Sequence, residues 1–157
     1  MYNTVMNPQD APSAKLAEAY VTIGSNRYNL FSAKNFEATD SVNTEEVNSI
    51  GRIRTGHKAT GLEGSFSLTI YHVTAIFENL IKEFETTGVM PTFDLQVTSE
   101  DPATSIGIDT KIYTGCQIDG DIKLSDFDAE GDFREQEIEG FYESWETNSQ
   151  YSNPSGM

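Results

Sequence analysis

The sequence predicts a mainly antiparallel β-protein, a barrel or sandwich of seven or eight strands flanked by one α-helix. Three observations carry that reading. Apolar and polar residues alternate with period two along most of the chain, most clearly where Leu62, Gly64, Phe66, Leu68 and Ile70 interleave with Glu63, Ser65, Ser67, Thr69 and Tyr71, the pattern of a half-buried strand. Helical spacing is convincing only over residues 75–87. Strands and helices do not alternate as a parallel sheet would require. The 157 residues suit one domain, which buries roughly 68–70% of the surface its unfolded chain exposes.

Residues 1–14 are polar, hold Pro8 and Pro12 and follow neither period, so they read as a flexible arm. The folded domain spans 15–146, and the Ser-, Asn- and Gly-rich tail 147–157 reads as disordered. A strand over 19–23, a turn at Gly24-Ser25-Asn26 and a second run opened by Tyr28, Leu30 and Phe31 make a hairpin. Phe36 and Ala38 then alternate with Glu37 and Thr39, and an extended course continues past Val42 through 44–50. Residues 51–61 place three glycines around Arg52, Arg54, His57 and Lys58, which makes them a long loop or the arm of an extended hairpin.

Thr74 is placed to cap a helix over 75–87, whose Ile76, Phe77, Leu80, Ile81 and Phe84 form one apolar face. Glu78 and Lys82 stand i,i+4 opposite it, Gly88 suits the C′ position and Pro91 blocks continuation. A strand over 92–98 points Phe93, Leu95 and Val97 to one side, and a turn-rich loop follows at 99–105. Ile106, Ile108 and Ile112 mark the next strand; Cys116, Ile118, Ile122 and Leu124 then alternate with Gln117, Asp119, Asp121 and Lys123. A last strand over 134–145 shows an acidic face of Glu135, Glu137, Glu139 and Glu143.

The formal net charge is -15, which argues against a surface that grips phosphates. Residues 1–82 hold seven basic and eight acidic side chains, whereas 83–157 hold three and seventeen. The longest apolar run falls far short of the ~20 residues that span a bilayer, so no membrane anchoring is expected. The first ten residues lack a basic then apolar signal pattern, and the single cysteine, Cys116, rules out an internal disulfide framework and fits a reducing compartment.

No catalytic or cofactor motif stands out. Residues 56–61 miss the spacing of a phosphate-binding loop, and a strand follows where a helix N-terminus is required. Two histidines and one cysteine do not make a zinc set; His72 reads as a packed or surface residue, and Cys116 lies on the apolar side of its strand. Asp126, Asp128, Gly131 and Glu137 match four positions of an EF-hand loop, but Arg134 stands at the ninth position and both flanks alternate with period two. An acidic inter-strand turn is the expectation there, with no metal and no cofactor.

The stretch 47–61, Val-Asn-Ser-Ile-Gly-Arg-Ile-Arg-Thr-Gly-His-Lys-Ala-Thr-Gly, followed by 67–74, Ser-Leu-Thr-Ile-Tyr-His-Val-Thr, resembles the tail-tube proteins of contractile-tailed phages, defective prophages and phage-tail-like bacteriocins. A second block, 93–107, is similar to the same family, and the likeness covers residues 15–145, weakest in the acidic last third. The resemblance implies a structural protein rather than an enzyme: a homohexameric ring of small β-barrels, each with one helix, stacked into a tube inside a contractile sheath and related to the tube of type VI secretion. It implies sheath, baseplate and tail-terminator partners, DNA only in transit if the particle is a phage, and envelope perforation if it is a bacteriocin. The location implied is a virion tail or bacteriocin particle assembled in the host bacterial cytoplasm.

On that basis Arg52, Arg54, His57 and Lys58 are candidates for inter-subunit or ring-stacking contacts, and Glu63, Ser65, Ser67, Thr69, Gln117, Asp119, Asp121 and Lys123 for the lumen. A soluble acidic β-domain that binds a protein partner through a sheet edge is the competing expectation.

Overall fold

The computed structural model describes residues 5–30 and 32–154; Phe31, expected to open a strand, lies outside them. In chain order the elements are β1 (Ala17–Ile23), β2 (Asn26–Asn29), β3 (Ala33–Val47), β4 (Gly56–Tyr71), α1 (Ile76–Thr87), β5 (Phe93–Glu100), β6 (Ile108–Ile118), β7 (Glu135–Tyr142) and β8 (Ser144–Ser149). All strand pairs are antiparallel. The sheet order is β2-β1-β5-β6-β7-β4-β3, with β8 paired to β6. The mainly β class with one helix is therefore as expected, in the form of one continuous sheet that is not hydrogen-bonded shut.

Strand β6 joins the two halves of this sheet. Its first part pairs with β5 and β8, and only Gln117 and Ile118 pair with β7. Gly115, at φ 66°, sits at the crossing, a backbone conformation that L side chains rarely adopt. The kink breaks the alternation between Tyr113 and Cys116, and an irregularity at Thr110/Lys111 breaks it earlier, so that Thr110, Tyr113, Cys116 and Ile118 are the buried residues. The strand expected to reach Leu124 stops at Ile118; Ile122 still packs against the core, and this produced a strand-like pattern in an irregular segment. The expected last strand is likewise divided at Glu143, whose N–H bonds the carbonyl of Thr114 at 3.0 Å.

The inner faces pack around Val21, Leu68, Ile70, Leu95, Cys116 and Ile138, all fully buried. Helix α1 covers this core with Phe77 and Leu80; Phe77 meets Phe93 edge-on at 5.8 Å, and Phe93 meets Phe66 at 6.0 Å. Each such burial contributes about 1.5–3 kcal/mol. The apolar stripe is narrower than its spacing suggested, because Phe84 is 47% exposed. The helix starts at Ile76 rather than Ala75, with the Thr74 hydroxyl accepting from the Ile76 N–H at 3.3 Å, and Gly88 takes the left-handed C-terminal position at φ 75°. Lys82 pairs with Glu85 rather than Glu78, which turns to His72. Among the described residues, no helix is long and apolar enough to cross a membrane.

Both ends are more tied down than their composition suggested. A 3₁₀ turn over Pro8–Asp10 buries Asp10, whose carboxylate accepts the N–H and hydroxyl of Ser105 at 3.0 and 2.7 Å. At the other end β8 passes Glu146 to reach Ser149, Tyr151 donates to the Ser99 hydroxyl at 2.9 Å, and the Ser152 N–H bonds the Ile106 carbonyl at 2.8 Å. Side-chain anchors at single positions hold these polar segments, and averaged composition does not register them.

The Ser105 hydrogen bonds hold the Asp10 carboxyl below its ordinary value of 3.8. A carboxyl depressed on folding favours the docked strap above the unfolded value and loses that contribution as pH falls through the folded one. Residues 5–14 are therefore expected to lose protection against amide exchange, relative to an unstructured chain at the same pH, as the pH drops below 3.8. Asp10→Asn is expected to lose most of that pH dependence in the same exchange measurement.

Candidate functional site

The most prominent surface feature is the β3–β4 hairpin, whose arms hold 15 and 16 residues. The glycine-rich segment is thus the arm of an extended hairpin, with Gly56 to Gly61 inside β4 and the tip at 48–55. From Thr39 to Val47, and again from His57 to Glu63, every residue is exposed. Strand registry places His57 opposite Glu46 and Lys58 opposite Glu45. Gly51 turns the tip at φ 85°, and Gly56 leaves room for the Arg52 guanidinium, which a β-carbon there would approach to 3.3 Å. Arg52, Arg54, His57 and Lys58 are therefore brought together at the far end of the arm. Sequence reasoning missed the exposed apolar side chains of the arm: Val47, Ile50 and Ile53 at its far end, and Val42 opposite Leu62 near its root. Their signal was the loss of alternation beyond Thr39.

The second surface is the outer face of β3, β4 and β7. Registry lines up Glu37, Ser67 and Glu139 in one row, Asn35, Thr69 and Glu137 in the next, and Thr39, Ser65, Phe141 and Gln117 in a third. Residues opposite one another in an antiparallel pair share a face, so Ser65, Ser67, Thr69 and Gln117 lie on one hydrophilic surface, which Glu63 extends from its place opposite Ser41. Asp119 joins them at a depression of about 330 Å³ that Glu37, Ser65, Ser67 and Glu139 also line. Asp121 and Lys123 do not join a strand face; they lie in the irregular segment between β6 and β7. Lys34 balances Glu135 at 2.7 Å, and that contact raises its pKa above the ordinary value.

At the root of the arm, Asp40, Gly64 and Tyr142 form one cross-strand row. The Tyr142 ring lies over Gly64, where a β-carbon would overlap it, and its hydroxyl donates to Asp40 Oδ1. Trp145 Nε1 donates to the other carboxylate oxygen at 2.7 Å. Burial, then the Asp40 contact, pushes the Tyr142 phenol well above its ordinary pKa. This clamp fixes where the arm leaves the body, and the glycine exists there because an aromatic ring must pass.

The acidic segment 119–134 is tethered by Arg134 and Gln136. Arg134 Nε donates to Asp126 Oδ1 at 3.0 Å, lowering the Asp126 pKa, and so places a guanidinium on the first would-be ligand of a calcium loop. Arg134 Nη2 also contacts His72 Nδ1 at 3.1 Å, while His72 Nε2 contacts Glu78 Oε1 at 2.5 Å. Arginine only donates, so the neutral imidazole carries its proton on Nε2. Buried Gln136 donates to the Lys123 carbonyl at 3.0 Å. Among the described residues no group of three or more His, Cys, Asp or Glu could hold a metal ion.

Cys116 is fully buried, and burial pushes its thiol up to about 12 from 9.0. Three units remove about 10³-fold of the reactive thiolate. Labelling by a thiol reagent is expected to be slower by at least that factor in native buffer than in denaturant, as followed by absorbance, because the buried sulfur is also out of the reagent's reach.

The chain is thus an open antiparallel sheet with a helical lid, a mostly hydrophilic outer face and a long exposed hairpin. A family model described as "Phage tail tube protein" matches residues 4–148. The chain belongs to the phage tail tube protein family and is a tail structural subunit, not an enzyme; its place is the tail of a phage or phage-like particle. It is 31% identical over 120 residues to the "Phage-like element PBSX protein XkdM" of Bacillus subtilis (strain 168), covering 76% of this chain and 81% of that protein. It is also 31% identical over 117 residues to the "Uncharacterized protein YqbM" of the same strain, covering 74% and 79%. Among solved structures the fold is similar to a chain in the anti-feeding prophage tube-terminating cap, with a TM-score of 0.64, 13% identity and coverage of 95% and 96%. A chain in the PVC sheath–tube complex of an extracellular contractile injection system gives a TM-score of 0.62, 13% identity and coverage of 83% and 88%.

Proposed function

We propose that this chain is the repeating subunit of the inner tube of a contractile tail, assembled as hexameric rings that stack end to end. The carrying observation is a hairpin whose outer part, residues 39–47 and 57–63, is exposed at every residue, with cations clustered toward its tip. An isolated subunit gains nothing by holding Ile50 and Ile53 in water, whereas an assembled one buries them. The free edges at β2 and β3 support the same reading, since ring closure covers edges that otherwise invite aggregation.

In this assembly Arg52, Arg54, His57 and Lys58 contact an adjacent subunit or ring. The outer face carrying Ser65, Ser67, Thr69, Gln117 and Asp119 turns to the lumen, with Glu63 where that face meets the root of the arm and Asp121 and Lys123 at its margin. An acidic lumen repels phosphate, so DNA slides through without adhering. The similar chains come from a baseplate, a tube-terminating cap and a sheath–tube complex, which supports sheath, baseplate and terminator proteins as neighbours. The tube assembles in the host bacterial cytoplasm; it conducts DNA in a phage and perforates an envelope in a headless particle.

Negative-stain micrographs of the purified protein test this directly. Hollow tubes, or rings with six-fold averages, are expected; a strict monomer at high concentration would overturn the proposal.

A further inference from the structure

We propose that the depression at the root of the hairpin arm is the socket for the arm tip of a second copy of this chain. This rests on reading the arm as an inter-subunit contact and names its acceptor. The depression, about 480 Å³, is lined by Asp40, Leu62, Glu63, Phe141, Glu143 and Trp145 among others, and none of its lining residues is Lys or Arg. The tip, residues 48–55, holds Arg52 and Arg54 and no acid, and Lys58 follows in the arm opposite Glu45.

The apolar parts also correspond. Ile50 and Ile53 are fully exposed and flank Arg52, while the socket presents Leu62, Phe141 and Trp145, each more than 40% exposed. A guanidinium can lie on an indole or phenyl face while its N–H groups reach carboxylates. The carboxylates of Glu63 and Glu143 make no hydrogen bond or ion pair among the described residues, nor do Arg52, Arg54 and Lys58. Asp40 has given one position on each oxygen to Tyr142 and Trp145, and a carboxylate accepts about four hydrogen bonds in all.

Reach excludes an intramolecular version. From Asp40 to Val47 the strand extends roughly 24 Å at about 3.4 Å per residue, so the tip stands that far from its own root. Tip and socket are different surfaces of one chain, and their union is head-to-tail. Such a contact repeats until it closes a ring or continues as a filament, which is what a stacked tube needs. The clamp gives the contact its geometry, because Tyr142 and Trp145 hold the socket's floor to the strand that carries the tip.

Charge exchange in the full chain tests the assignment. Glu63→Lys with Glu143→Lys is expected to cut sedimentable tubes roughly tenfold or more, with an unchanged far-ultraviolet circular dichroism melt. Adding Arg52→Glu and Arg54→Glu to that chain is expected to restore tubes, which a merely damaged fold would not allow. If the Glu63/Glu143 variant assembles like the parent, or the four-fold variant is not rescued, the socket is wrong. Loss of tubes in the arginine variant alone would then leave the arm's role standing, whereas a parent protein that never assembles removes both.

Discussion

Tubes are expected to disappear when Arg52 and Arg54 are both replaced by glutamate, while the subunit melts as before. The two halves of this prediction follow from one geometric fact. Both arginines sit at the end of an arm whose residues are exposed from Thr39 onward, so nothing in the core senses their charge. Surface substitutions of that kind move stability by no more than about 0.5 kcal/mol. In an assembled tube, by contrast, the change turns two attractions into two repulsions at every repeat against an acidic neighbour. Like charges brought together at an interface cost several kcal/mol, and a stacked polymer multiplies the cost by its number of contacts. Electron micrographs and a thermal melt of the same preparation read the two halves separately. Unchanged tubes would refute the role of the tip.

Gly140→Ala carries the largest expected effect on the subunit itself. A β-carbon at this position would overlap the carbonyl oxygen of Gln117 and come within 3.0 Å of the Phe66 ring. Backbone cannot step aside as a flexible side chain can, and the obstructed strands pair over a short ladder, Gln117 opposite Phe141 and Ile118 opposite Gly140. The expected loss is about 3 kcal/mol, the upper end of overpacking in cores, with β6 and β7 parted. Gly61→Ala is the matched control: a β-carbon there meets nothing within 4 Å, and the expected change is a stabilisation of under about 1 kcal/mol. Urea unfolding of the two variants beside the parent distinguishes a packing failure from the general effect of replacing glycine.

Strand alternation made β4, β5 and β7 legible, because in each the odd and even residues face different environments. Phe66, Leu68 and Ile70 are buried where the pattern placed them, and Glu137 and Glu139 are exposed. The division of β6 at Gly115 was not legible. A positive φ there shifts the alternation by one residue, and glycine occurs for several reasons that composition does not separate. The arm was half legible: its basic residues were conspicuous in an acidic chain, but its length depended on β3 and β4 finding each other over 14 registered pairs. The Asp40 clamp was invisible because its members are separated by 102 and 105 positions. Rows of outer-face residues emerge only when registry is known, so Glu37 was not grouped with Ser67 and Glu139.

In the proposed tube, the bridge from Asp40 to Tyr142 and Trp145 would also set how the subunit bears load. A tube pushed along its axis delivers force to each subunit where its neighbours touch it, and a bare two-stranded arm would pass that force to the body through its own ladder alone. Here the carboxylate on β3 is tied to β7 and β8, so thrust entering the arm divides among three strands before it reaches the core. Asp40→Asn would therefore weaken the tube under axial stress more than it lowers the melting point of the free subunit, because the amide keeps the shape of the joint while it loosens the tie.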